Sequence, residues 1–246
     1  FFGTFATGLL AGCIASVVFN FGQYALGADA IINMFAAFDI HISKGLCCLI
    51  LLAVSVPLSL MYGSGENPKG VKIVENAIKV MIGIMLIVFI AVVCVTGINV
   101  PAMIKGLLIP KLPSGIDGMV TLIASMTATI GVMDWLLFNN GMIARGFSED
   151  HERLGRFDAF CGGLLPVTLV LSLVSIAFAE AFSGKPGIPT TSSELCEALM
   201  GVIPSVWILA GFYLGVLAMV LSSMIGLSAT CATSFYQSLN IPRNTK

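Results

Sequence analysis

The stretch Ile123 to Arg145, IASMTATIGVMDWLLFNNGMIAR, holds the residues of this chain best placed to do chemistry. It is apolar over the roughly 20 residues a helix needs to cross a bilayer. Its middle nevertheless carries Thr127, Thr129, Gly131 and the ionisable Asp134. A carboxylate at membrane depth is costly, so where one persists it faces a bundle interior, a partner or a water-filled path. Hydroxyl and small residues just before it mark a place where a membrane helix can open and turn backbone carbonyls toward a cation. These residues point to a broken helix at a transport site. They fit equally a packed helix whose glycine permits close approach and whose acid pairs with a neighbour.

A second polar group lies in the first apolar run, where Asn20 and Gln23 are three apart and share a helical face. Two amides then point the same way at membrane depth, either fixing helix packing through hydrogen bonds or lining a polar path. Asp29 lies near the outer end of that run, within reach of the interface or of Lys44. The two histidines, His41 and His151, sit in polar connections and cannot form a buried metal centre between helices. Of seven cysteines, Cys13, Cys47, Cys48, Cys94, Cys161 and Cys231 fall in or beside apolar runs without Cys-x-x-Cys spacing, and read as small hydrophobes at helix contacts.

The elements that must position these residues follow from composition. Of 246 residues 57% are hydrophobic and 10% charged, with a mean hydropathy of +1.00. Soluble domains carry about 25% charged residues, so the chain reads as an all-α polytopic membrane helix bundle. A net charge of -1 gives no electrostatic case for nucleic acid. The chain opens on Phe1, inside an apolar run and without an initiating methionine, so it reads as a piece of a longer one. Apolar spans are expected at 4–30, 46–62, 77–96, 119–143, 157–182 and 202–227, forming one transmembrane domain over 1–246. Lys69, Lys72, Lys79, Arg145, Arg153, Arg156, Arg243 and Lys246 fall on one side, against Lys44, Lys105, Lys111 and Lys185 on the other. The richer side is expected to be cytoplasmic, which places both ends of the chain inside.

Local signals refine the spans. The second, LCCLILLAVSVPLSLMY, reads as nearly featureless scaffold bent at Pro57. Glu75 and Lys79 are spaced as an i,i+4 pair. The connection VPAMIKGLLIPKLPSG carries three prolines and two glycines, so it reads as an ordered external segment rather than a further crossing. RGFSEDHERLGR reads as a solvated charged loop. Pro166 reads as a kink. Ser192 or Ser193 before Glu194 to Glu197 gives a capping signature for a short external helix. Gly211, Gly215 and Ala218 present small residues for tight packing in the last span.

Taken in order, these landmarks resemble the NRAMP family of divalent-metal transporters, from its third to its eighth membrane helix. The residues carrying the resemblance are the amide pair in the first span, KGLLIPKLPSG, TATIGVMDWLLFNNGMIARG, the charged loop after it, and SSMIGLSATCATSFYQSLNIPR. The resemblance implies an inverted-repeat fold of the amino-acid transporter type. In that fold a metal site sits at the midplane between two interrupted helices, the first of which would precede Phe1. Metal-selective members read Met-Pro-His-Asn in the second, where this chain has Gly131, Val132, Met133 and Asp134. Ala128 matches an alanine whose carbonyl helps bind the ion.

The departures carry the inference. A thioether favours softer metals, whereas oxygen-only sites suit magnesium, calcium and manganese. Gly131 removes the soft ligand and enlarges the cavity, which suits an ion that sheds water reluctantly. Met133 would point roughly 200° around the helix from Gly131. Proton-coupled members carry an acidic pair where this chain has Asn20 and Gln23, and histidines where it has Met133 and Phe138. Without such groups a proton relay lacks a carrier, as in the NRAMP-related magnesium transporters.

The expectation is therefore transport of Mg2+, with Mn2+, by alternating access and without proton coupling. Ala128, Gly131 and Asp134 would form the metal site, and Asn20, Gln23, Thr127, Thr129 and Met133 would line the path. No enzymatic activity and no cofactor is expected, the metal being cargo, and the partners are a divalent cation and the lipid bilayer of the cell membrane. The sequence does not report an oligomeric state. Three alternatives stay open: a proton-coupled Mn2+/Fe2+ transporter, a sodium-coupled carrier of organic solutes, and a non-transporting membrane scaffold with a packed Asp134.

Overall fold

Inside a bilayer every backbone N–H and C=O must find its partner within the segment, so long apolar runs fold as helices. The structure is a computed structural model that describes residues 6–64, 68–108, 118–120, 123, 149–182 and 191–239. These residues are about 90% helical and contain no strand. The protein is an all-α membrane helix bundle. A π-helical segment, Thr7–Ile14, runs directly into α1 (Ala15–Ala36), followed by α2 (Lys44–Ser64), α3 (Pro68–Thr96) and α4 (Val100–Leu108). A 3-10 turn, Glu149–His151, opens α5 (Glu152–Asp158), which passes through a second π-helical segment, Ala159–Leu164, into α6 (Leu165–Ala181). The short α7 (Ser192–Val202) and the long α8 (Val206–Ser238) follow.

Among the described residues, Glu75–Thr96, Glu152–Ala181 and Val206–Tyr236 are long and apolar enough to cross a membrane, and Lys44–Leu60 is a shorter apolar helix. Helix α1 has 22 residues, with Asn20, Gln23 and Asp29 interrupting its apolar character. The expected span 119–143 lies outside the described residues, apart from Met119, Val120 and Ile123.

Helix α8 is the hub. In its apolar window 61% of the residues are buried, against 22% in the window of α3, because α1, α2, α3 and α7 all pack on it. Glycine sets the closest approaches. A Cβ on Gly27 would lie 2.8 Å from Leu51 Cδ1 and 2.9 Å from Val220 Cγ1, so α1, α2 and α8 meet there. A Cβ on Gly211 would lie 2.5 Å from Val88 Cγ2, and one on Gly215 would enter Met85, which brings α3 and α8 together. The small-residue face of the last span thus packs as its sequence indicates. Phe178 fixes α6 by edge-on contacts with Phe89 at 5.5 Å and Phe212 at 6.5 Å between ring centroids, a geometry aromatic pairs favour.

The helix ends explain several local signals. Helix α1 closes in a Schellman motif, with Ile40 N–H on the Phe35 carbonyl and Asp39 N–H on the Ala36 carbonyl, both at 3.1 Å. Asp39 takes the left-handed position at φ 58°, which is usually glycine's. Gly97 fills the same role after α3 at φ 77°. The cap of α7 differs from the expected Ser192 or Ser193: Thr191 Oγ1 accepts the Glu194 N–H at 3.3 Å. Position alone decides this, since Thr191 is extended at φ -126° and ψ 154° while Ser192 is already helical. Pro166 sits in the first turn of α6, directly after the π-helical segment. The wider turns upstream accommodate a ring that removes one N–H and crowds the preceding carbonyl. Helix α4, with 9 residues, is too short to cross a bilayer.

Candidate functional site

The described bundle holds a cavity of about 340 Å³ between α1, α2 and α8. Its walls are helical ridges of residues four apart, which share one face of a helix: Asn20 and Tyr24 from α1, Ser55 and Ser59 from α2, Met224 and Ser228 from α8. Val17, Phe21, Val56 and Leu60 are the other described lining residues. The space is open on one side, and most of its lining surface is apolar.

Its polar chemistry is neutral. Asn20 Oδ1 is buried and has no hydrogen-bond partner among the described residues. Leaving such an acceptor bare costs about 1–3 kcal/mol, and the oxygen is closed off from the cavity's open space. Tyr24 Oη and Ser55 Oγ share a hydrogen bond of 2.9 Å that joins α1 to α2. Ser55 is 3% exposed, so this bond satisfies a hydroxyl with little access to bulk water. Ser59 and Ser228 add two more hydroxyls, and Met224 a thioether. The described lining contains no carboxylate, imidazole or amine. Its few polar groups offer none of the carboxylate or imidazole class for proton exchange.

The residues expected from sequence divide into those the structure places and those outside it. Asn20 lines the cavity, whereas Gln23, half-buried on the same helix, is not among the described lining residues. Thr127, Ala128, Thr129, Gly131, Met133 and Asp134 lie outside the described residues. Asp29 is taken by Lys44, at 2.9 Å from Oδ1 to Nζ, on the surface between α1 and α2. Glu75 and Lys79 pair at 3.6 Å, and Glu152 pairs with Arg156. Asp150, Glu152, Arg153 and Arg156 are exposed. Among the described residues no three His, Cys, Asp or Glu side chains gather as a metal site.

Ser55 and Ser59 correct the reading of the second span as featureless scaffold, because they form one wall of the cavity. The signal available in the sequence was their spacing of one helical turn within an otherwise apolar run. Ser228 and Met224 carry the same four-residue signal in the last span.

The description of one family model, natural resistance-associated macrophage protein-like (Nramp), matches residues 4–245. No curated protein and no solved structure matches the chain.

Proposed function

The chain belongs to the Nramp family, whose members move divalent metal cations across membranes, and from that premise we propose that it carries Mg2+, with Mn2+, without proton coupling. The observation that carries this reading is the cavity beside Asn20, whose described polar lining is an amide, hydroxyls and a thioether, all uncharged. A proton-coupled cycle needs a group that gains and loses a proton within the working pH range. Asn20 and Gln23 stand where a titratable pair would serve, and an amide does neither. Neutral oxygens instead suit a cation that crosses with part of its water retained.

In this reading Ala128 and Gly131 offer backbone oxygens to the ion, and Asp134 compensates its charge directly or through water. Thr127, Thr129 and Met133 line the path beside them, and the fold is an inverted repeat with a broken central helix. The ion moves by alternating access down its electrochemical gradient. No bond of the cargo changes, so the protein transports rather than catalyses. Both ends of the chain lie on the cytoplasmic side of the cell membrane.

One observation favours the nearest rival, a proton-coupled Mn2+/Fe2+ carrier: the Met224 thioether faces the same cavity, and sulfur prefers softer ions. Influx into proteoliposomes separates the two. The proposal expects saturable Mg2+ influx that survives a Cd2+ excess and is lost in Asp134→Asn. Strong Cd2+ competition abolished by Met224→Leu would favour the rival. A variant at Asp134 that changes thermal stability, in a protein showing no metal flux, would favour a non-transporting scaffold.

A further inference from the structure

Cys13 and Cys231 face each other across the contact between the first π-helical segment and α8. The Cys13 thiol donates to the Cys231 carbonyl at 3.5 Å, and the Cys231 sulfur lies 4.0 Å from the Cys13 carbonyl. Each sulfur therefore rests on the other residue's backbone, and the two thiols adjoin. A disulfide needs closely approaching backbones, and the reciprocal sulfur-to-carbonyl contacts show that the two backbone segments approach closely at these residues. Both residues are free thiols. Cys13 is buried and Cys231 half-buried. Cys231 lies about two turns before the end of α8 at Ser238. Of the two, Cys231 is the more exposed and meets a small polar reagent first.

We propose that Cys13 and Cys231 form an oxidisable dithiol, which a low-molecular-weight disulfide converts into an intramolecular disulfide that staples the start of the first span to α8. The exchange has two steps. The Cys231 thiolate attacks one sulfur of the reagent R–S–S–R, forming a mixed disulfide and releasing RS⁻. The Cys13 thiolate then attacks the Cys231 sulfur, forming the Cys13–Cys231 bond and releasing the second RS⁻. The two thiols give up two protons, which the two RS⁻ groups take, and two electrons pass from the pair to the reagent.

The backbone suits this step. A π-helical segment departs from the regular ladder of i,i+4 bonds, so Thr7–Ile14 can shift slightly and bring sulfurs in contact to bonding distance without unwinding α1. The loop closed by the bond is long, since the residues are 218 positions apart, and long closed loops restrict the unfolded chain most. The staple also fastens the segment that runs directly into α1, which carries Asn20, to α8, which carries Ser228.

The test uses the full-length protein in detergent, incubated at pH 8.5 with oxidised glutathione, quenched in acid, and alkylated with N-ethylmaleimide after denaturation. Of the seven cysteines of this segment, Cys13 and Cys231 are expected to escape alkylation. Their peptides should be recovered cross-linked, the thermal midpoint should rise by several degrees, and dithiothreitol should reverse both effects. Cys231→Ser should abolish the cross-link and the rise. The experiment is read first on the unmutated protein, so it does not depend on a variant folding. Alkylation of all seven thiols, glutathione retained on Cys231 as a stable mixed disulfide, or a cross-link between other cysteines would each overturn the proposal.

Discussion

Tyr24 and Ser55 share a hydrogen bond of 2.9 Å on the wall of the cavity, joining α1 to α2. Tyr24→Phe keeps the ring that packs on the core and strips the partner from a hydroxyl that is 3% exposed. The expected cost is about 1–2 kcal/mol of stability. Ser55→Ala removes the other half of the bond, so the double variant should cost less than the sum of the two singles. Thermal unfolding in detergent checks this; additive costs would mean that the two hydroxyls do not act together.

The contact of α3 with α8 turns on Gly215, where a new Cβ would enter Met85 near its own Cβ and Cγ as well as its sulfur. A flexible thioether end could swing aside, but Met85 Cβ is fixed to its helix, so the helices must separate. Gly215→Ala should therefore destabilise by about 1–3 kcal/mol from overpacking, offset by about 1 kcal/mol of helix propensity. Adding Met85→Ala should recover part of the loss. A Gly215→Ala protein as stable as the parent would show that the crossing is looser than the structure has it.

Asp29 lies on the same helix as the amide pair, and Lys44 occupies it at 2.9 Å. The two side chains are 46% and 57% exposed respectively, so the pair should contribute at most about 1 kcal/mol, and less as salt rises. Asp29→Asn should leave metal influx unchanged. A large loss of influx at unchanged stability would move Asp29 from the surface into the transport path.

Cys196, on the short helix α7, supplies a pH dependence. Burial pushes its thiol up from 9.0 to about 11, with Glu197 adding to the rise and a hydrogen bond from Tyr213 opposing it. From pH 9 to 11 the unfolded chain releases this proton while the folded chain keeps it, so stability should fall as pH rises through that window. Below pH 9 the thiol is protonated in both states and contributes no slope. Thermal midpoints measured across the window should decline more steeply in the parent than in Cys196→Ala. Parallel declines would contradict the assignment.

Much of this architecture is legible in the residues, for reasons that differ by element. Asp29 with Lys44, and Glu75 with Lys79, follow from charge and reach alone. Gly211 and Gly215 announce a close crossing because a residue without a side chain lets two helix backbones approach most nearly. The cap of α7 at Thr191 was not legible, because threonine and serine cap equally well and only the backbone angle selects between neighbours. The π-helical segments also escape a reading by period, which assumes regular turns; Pro166 marks one only in hindsight. The wall made by Ser55 and Ser59 was hidden because two hydroxyls in an apolar span satisfy themselves on their own helix as readily as they line a cavity. Of the expected path lining, Asn20 is seen beside the cavity, while the expected metal site, Ala128, Gly131 and Asp134, lies outside the described residues.

The most direct measurement of the account is a paired flux assay in proteoliposomes, with an inward Mg2+ gradient and indicators for Mg2+ and for pH inside. The expected result is Mg2+ entry with no internal pH change beyond that of protein-free vesicles. Acidification that tracks Mg2+ entry, and disappears in Asn20→Ala or Gln23→Ala, would contradict it.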